Sequence, residues 1–175
     1  MAMVTDGSLI QRMKGAAMLD VGVYEEVEAD ESATAQAAGV VAIVAVAQAI
    51  GASGDGLGGA LGAVIGAVLG WLLWAGITYV IGDKILGGTA TWGELLRTLG
   101  FAQAPGILLA LGILPLLGSV VRVVVAFWLL ATGIVAIRQA LDVSTGKAVV
   151  TAILGWIVVV LVNVLLGIGG MAVPG

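Results

Sequence analysis

Three sets of polar residues have the type and spacing to do chemistry. Glu94 and Arg97 stand three apart, and Arg138 and Asp142 four apart with Lys147 just beyond. On a helix each pair shares a face, so each could form an ion pair, orient a lipid headgroup or recognise a charged partner. Arg122 stands in an otherwise apolar stretch. An ionisable group inside a bilayer is a functional candidate by default, and the same side chain serves equally as an interfacial anchor. Asn163 is a lone amide in the last apolar stretch, which suits an interhelical hydrogen bond better than a transport site. The chain has no cysteine and no histidine. That removes disulfides, thiolate nucleophiles, and imidazole ligation of metal or haem. Before residue 32 the carboxylates Asp6, Asp20, Glu25, Glu26, Glu28, Asp30 and Glu31 face only Arg12 and Lys14. With most carboxylates in that one segment a dispersed catalytic pair is hard to assemble, no enzyme activity or cofactor is expected, and a net charge of −4 gives no footprint for nucleic acid.

The elements that position these residues follow from hydropathy. Hydrophobic residues make up 61% of the 175 and charged ones only 10%, against about 25% charged in a soluble chain. Mean hydropathy is +1.18, so lipid must be the solvent for most of the surface. The charged residues divide the chain into five spans at 33–52, 57–81, 104–118, 119–140 and 147–169. Their apolar stretches are continuous rather than alternating, which selects helices over a barrel. The expected fold is all-α: an integral membrane bundle of about five transmembrane helices (33–175), preceded by a short amphipathic helix in segment 1–32. Arg12 and Lys14 lead into an acidic run rather than an apolar core, so the N-terminus reads as retained, not as a signal peptide. The run 25–31 reads as a solvated connector. With the N-terminus in the cytoplasm and the C-terminus outside, six of the seven basic residues lie inside, as the positive-inside rule asks of a cell (inner or plasma) membrane protein.

Gly54, Gly58, Gly62, Gly66 and Gly70 recur every four residues, forming a ridge without side chains on which another backbone can approach closely. The ridge serves either packing against another span of the same chain or an interface with a second copy or a partner protein. Farther on, Thr91 with Glu94 makes a capping box, and Pro105 kinks or ends the helix near Ala104. The stretch 106–117 is too short to cross alone, so the amphipathic piece before Pro105 must dip into the membrane as an elbow. Arg138, Asp142 and Lys147 mark a hairpin between the last two spans, either as anchoring charges or as a docking surface. The N-terminal helix, the elbow and this hairpin should meet on one side of the membrane.

At ELLRTLGFAQAPGILL, AFWLLATGIVAIRQAL and DVSTGKAVVTAILGW the chain resembles the Ypt-interacting protein (Yip) family of small membrane proteins. The resemblance covers about 35–166 and looks closest to prokaryotic members, which carry ELLR…GYAQ…P and AIRQ…D…S…GKA stretches. Phe101 stands where many members have tyrosine. The resemblance implies a cytoplasmic N-terminus and five spans. Eukaryotic relatives bind Rab-type GTPases in vesicle traffic, but their N-terminal acidic-aromatic motif is not evident here, where Tyr24 is the sole aromatic residue before the first span. Packing motifs are abundant and reactive side chains scarce. The leading expectation is therefore a non-enzymatic membrane-organising or interaction scaffold, whose partners are membrane lipids and other membrane subunits or itself. An accessory subunit of a larger, energy-converting membrane assembly is the second reading. A small transporter or channel built on Arg122, Asn163 and the kinked span is the third.

Overall fold

The computed structural model describes residues 7–114 and 117–165, and these are helical almost throughout, with no strand among them. The N-terminal segment makes two short helices rather than one, α1 (Leu9–Ala17) and α2 (Val21–Ala29). The Ser8 hydroxyl accepts from the Gln11 N–H and the Gln11 side chain accepts from the Ser8 N–H, both at 3.3 Å, so α1 starts in a reciprocal capping box. Leu19 then takes a left-handed φ of 63°, ending the first helix. Asp20 restarts the second by accepting from the Gly22 N–H at 3.0 Å. The acidic run is not a solvated connector. Residues 25–29 belong to α2, whose Tyr24 and Val27 are wholly buried.

Then come α3 (Ala33–Gly51), α4 (Gly56–Thr78) with a π-helical extension Tyr79–Ile85, α5 (Trp92–Ala102), a 3-10 segment Ala104–Ile113, α6 (Leu117–Ala140) and α7 (Thr145–Leu165). Three helices are long and apolar enough to cross a membrane singly: Ala33–Gly51, Gly56–Ile85 and Leu117–Ala140. The pair Trp92–Ala102 and Ala104–Ile113, bent by 42°, makes a fourth when taken as one span. This is a multi-pass membrane protein. The five-span expectation meets three single helices, one bent pair and α7; the apolar part of α7 that qualifies, Thr145–Gly155, is a shorter helix.

The third expected span, 104–118, is the one most altered. Pro105 lacks an N–H and its ring crowds the preceding turn; from Ala104 the backbone tightens into the 3-10 form. The bent pair instead begins at Trp92, and α5 enters the bundle with Leu95, Leu99, Phe101 and Ala102 wholly buried. Close approach is made possible here by glycine. A Cβ on Gly100 would lie 2.8 Å from the Ala37 Cβ, and one on Gly106 would lie 2.7 Å from the Val44 Cγ1, so α3 packs directly against both halves of the bent pair.

The glycine ladder does not do this within the chain. Among the described residues, a Cβ at Gly54, Gly58, Gly62, Gly66 or Gly70 would meet nothing within 4 Å. The expectation that the ridge packs against another span of this chain is therefore corrected. Rows at i+4 spacing are inclined to the helix axis, and over this many turns the row winds round α4. The inward face of α4 is instead made by Ala67, Trp71, Ala75 and Thr78.

Candidate functional site

Two places stand out: one end of the bundle, where polar groups concentrate, and an apolar cavity between the helices. At the end, α1 and α2 are clamped by Arg12, a residue only 3% exposed. Its guanidinium donates to Glu26 (2.8 Å), Asp30 (2.7 Å) and Gln36 (3.0 Å), tying α1, α2 and the first turns of α3 together. The Asp30 carboxyl is held below its ordinary range, first by the Ser32 hydroxyl and then by Arg12. Beside it, the Tyr24 hydroxyl donates to the Ala16 carbonyl at 3.0 Å, and burial pushes its pKa up.

Arg97 and Glu94 do not pair. Glu94 turns back to accept from the Thr91 N–H at 2.7 Å in the expected capping box. Arg97, buried in the first turns of α5, donates its Nε to the Val27 carbonyl at 2.9 Å and its Nη2 to the Glu28 carbonyl. These are carbonyls of the last turn of α2, which have no intrahelical partner and carry the negative end of the helix dipole. A cation there caps the helix, and the forked guanidinium reaches two carbonyls at once.

Arg138 and Asp142 do not pair either. Asp142 takes a left-handed φ of 51° at the turn after α6, and its carboxylate accepts from the Thr89 hydroxyl at 3.3 Å. Arg138 is exposed. Its neighbour Gln139 donates to Glu25 at 3.0 Å, and Lys147 donates to the Leu86 carbonyl at 2.9 Å. The N-terminal helices, the start of α5 and the α6–α7 turn thus meet at one end, as expected. Four carboxylates converge there. Glu28 is pushed up to about 7, first by its own burial and then by the charges of Asp142, Glu94 and Glu25, with Arg97 opposing. Among the described residues no three carboxylates come close enough to hold a metal ion.

At the opposite end Arg122 is exposed and folds back one turn, donating its Nε to the Gly118 carbonyl at 3.2 Å. That direction carries the charge toward the start of α6, as snorkelling requires. Asn163 lies in α7; its side chain falls outside what the structure describes.

Sequence reasoning missed the second place. A cavity of about 600 Å³ opens between α3, α4, α6 and α7, walled by Trp71, Trp74, Phe127 and Ile153, with Gly66 and Gly70 on its α4 side. Two amides reach it, Gln48 from α3 and Gln103 from the break between α5 and the 3-10 segment. The nearby polar groups satisfy each other: Trp71 Nε1 donates to the Leu96 carbonyl at 3.1 Å and the Thr132 hydroxyl to the Ala102 carbonyl at 2.8 Å. The signal available in sequence was a glutamine in an apolar stretch, the same signal that singled out Asn163.

No curated protein and no solved structure matches the chain. The family model described as Yip1 domain matches residues 24–166, from the middle of α2 to the end of α7. The match bears out the family but not a specifically prokaryotic type. With most of its length matched, and with apolar helices that cross a membrane more than once, the chain belongs to the Yip1 domain family of membrane proteins.

Proposed function

We propose that this protein is a non-enzymatic scaffold of the cell membrane that associates through α4, with α1 and α2 on the cytoplasmic side and the C-terminus outside. The observation that carries the reading is the open glycine face: among the described residues, a Cβ at position 58 or 62 would meet nothing within 4 Å outside its own stretch of helix. In lipid there is little hydrophobic drive for helices to associate, so a surface on which a neighbouring backbone can come close is what favours a partner helix. The orientation rests on the basic residues. Arg12 and Arg97 fix α1 and α2 onto the same end that presents Lys14, Arg138 and Lys147.

The absence of cysteine makes the test direct. Single variants Gly58→Cys and Gly62→Cys, oxidised in native membranes, are expected to give covalent adducts. Val123→Cys, on the exposed face of α6, is expected to give none. Adducts with a second copy support a self-associating scaffold. Adducts of fixed stoichiometry with another membrane protein support an accessory subunit. Equal yields at all three positions reflect random collision and refute the reading.

A further inference from the structure

We infer that the tip of the α1–α2 hairpin inserts into the phospholipid leaflet at the polar end of the bundle. The two helices run antiparallel. A Cβ on Gly15 would lie 2.5 Å from the Val23 Cγ2, the Tyr24 hydroxyl meets the Ala16 carbonyl, and Arg12 reaches Glu26 and Asp30. The open end of the hairpin is held at the α6 terminus, where Gln139 donates to Glu25. The tip, residues 18–20, is held much farther along α6, where the Trp128 indole donates to the Ala17 carbonyl at 2.7 Å. Trp128 stands twelve residues before Ala140, a distance of about 18 Å at about 1.5 Å per residue.

On this side of the bundle, lipid-facing surface begins at that level. No residue of α6 in 131–137 is exposed, whereas Phe127, Val124 and Val123 stand open. On α3, and on the bent pair after Trp92, the first large exposed apolar residues are Ile43 and Ile107. These share a level with Trp128: Gly106 lies against Val44, and Ala102, one turn before Gly106, accepts from Thr132, one turn after Trp128. Across the bundle the apolar surface reaches closer to the polar end. Val150 is 46% exposed only five residues, about 8 Å, from the start of α7. The tip thus lies about 10 Å deeper than the uppermost lipid-facing residues, matching the depth of about 5–10 Å to which interfacial helices sink.

The side chains at the tip suit this depth. Met18 is 69% exposed, and Leu19, at its left-handed turn, is exposed as well. Lys14 stands one turn before Met18 and is exposed; its stem can lie along acyl chains while its ammonium reaches the phosphates. The carboxylate of the turn, Asp20, accepts from the Gly22 N–H at the start of α2, where the helix dipole offsets its charge. An indole with its N–H bonded and its ring half open is a side chain that headgroup layers favour. Glu25 and Glu28 belong to the open end of the hairpin, outside this layer. The occupant is lipid because the tip is continuous with a surface that lipid already covers; a protein docked there would have to displace lipid from Phe127.

The chain has no cysteine, so single cysteines carrying a bimane label can report their surroundings in the full chain in phosphatidylcholine nanodiscs. The positions are Met18→Cys at the tip, Phe127→Cys as the lipid-facing reference, and Ala29→Cys at the open end of the hairpin. All three native side chains are exposed, so each variant should melt as the parent does. Phosphatidylcholine bearing a nitroxide on its upper acyl chain is expected to quench the label at 18 as it does at 127. Quenching by aqueous iodide is expected to be strong at 29 and lost at 18. Without the label, a charged methanethiosulfonate should modify the cysteine at 18 more slowly than the one at 29. Equal iodide quenching or equal modification rates at 18 and 29 overturn the inference. Protection of position 18 from both quenchers overturns it as well, because a second copy or another protein then covers the tip.

Discussion

Replacing Arg97 with methionine should release α2 from the bundle. The methionine keeps most of the apolar volume of the side chain and removes the charge. Two contacts disappear, to the Val27 and Glu28 carbonyls. A hydrogen bond to a charged group is worth about 1.5–3 kcal/mol. The Val27 bond is buried and the Glu28 bond only partly so, which lets water recover part of the second. The net loss should be about 3 kcal/mol, less than the simple sum of two buried charge-assisted bonds. Amide hydrogen exchange resolves this better than global melting, because the clamp holds one element rather than the whole fold. A loss of 3 kcal/mol corresponds to exchange about 150-fold faster in α2, with the amides of α6 unchanged. Arg97→Lys should fall between the two, since an ammonium keeps the charge at the helix end but not the fork. Equal protection of α2 in the parent and in Arg97→Met would show that the apolar contacts of Tyr24 and Val27 suffice, and would refute the clamp.

Two further outcomes follow from the same geometry. Glu28, with its folded pKa at about 7 against an ordinary 4.5, binds its proton more readily folded than unfolded. Its contribution therefore becomes less favourable as pH rises from about 4.5 to 7, and Glu28→Gln should stabilise the protein at pH 8, by on the order of 1 kcal/mol after screening of a half-exposed group, but not at pH 4.5; a melting difference independent of pH would contradict this. Gly100→Val should destabilise the fold by about 2 kcal/mol or more and lower its melting temperature in detergent, because the added Cβ meets the Ala37 backbone and Cβ rather than a movable side-chain end, whereas Gly58→Val should leave the monomer melting unchanged; similar melting of both variants would place the close helix contact elsewhere.

What the sequence made legible was whatever depends on local rules. The continuous apolar stretches announce spanning helices, the Thr91–Glu94 box forms as its spacing requires, and Pro105 breaks the helix where its missing N–H demands. What escaped was the identity of partners. Glu94 was free to pair with Arg97 by spacing, but the box takes its carboxylate, and the carbonyls of α2 take the guanidinium. The glycine row shows the same limit. Its period fixes a ridge, but which way a ridge faces depends on the rotation of the whole helix, and here the inward face went to Ala67, Trp71 and Ala75. Glycines that do carry close contacts between helices, Gly51, Gly100, Gly106 and Gly133 among them, fall outside that row. The cavity was invisible because its two amides come from elements distant in sequence and meet only in the folded bundle.

The buried arginines also change the balance between lipid anchoring and docking at the polar end. If six basic residues lay free at that surface, each worth about 1 kcal/mol against anionic lipid, headgroup binding alone would explain them. Arg12 and Arg97 are not free, being 3% and 6% exposed and engaged inside the protein. Lys84 is engaged by the adjacent Asp83 carboxylate at 2.5 Å. Lys147 donates to the Leu86 carbonyl, though it stays exposed and keeps its charge near the surface. Against this reduced set stand Glu25, Glu28, Glu94 and Asp142; the pKa of Glu28 is raised first by its burial and then by the charges of the other three. Anionic headgroups are repelled by such a cluster. Acidic residues turned toward water suit recognition by a basic segment of another protein better than attachment to lipid. In the proposed orientation the charges that would orient the chain and those that would meet a partner are carried by different residues, so substitution at Glu25 or Asp142 should probe docking without disturbing insertion.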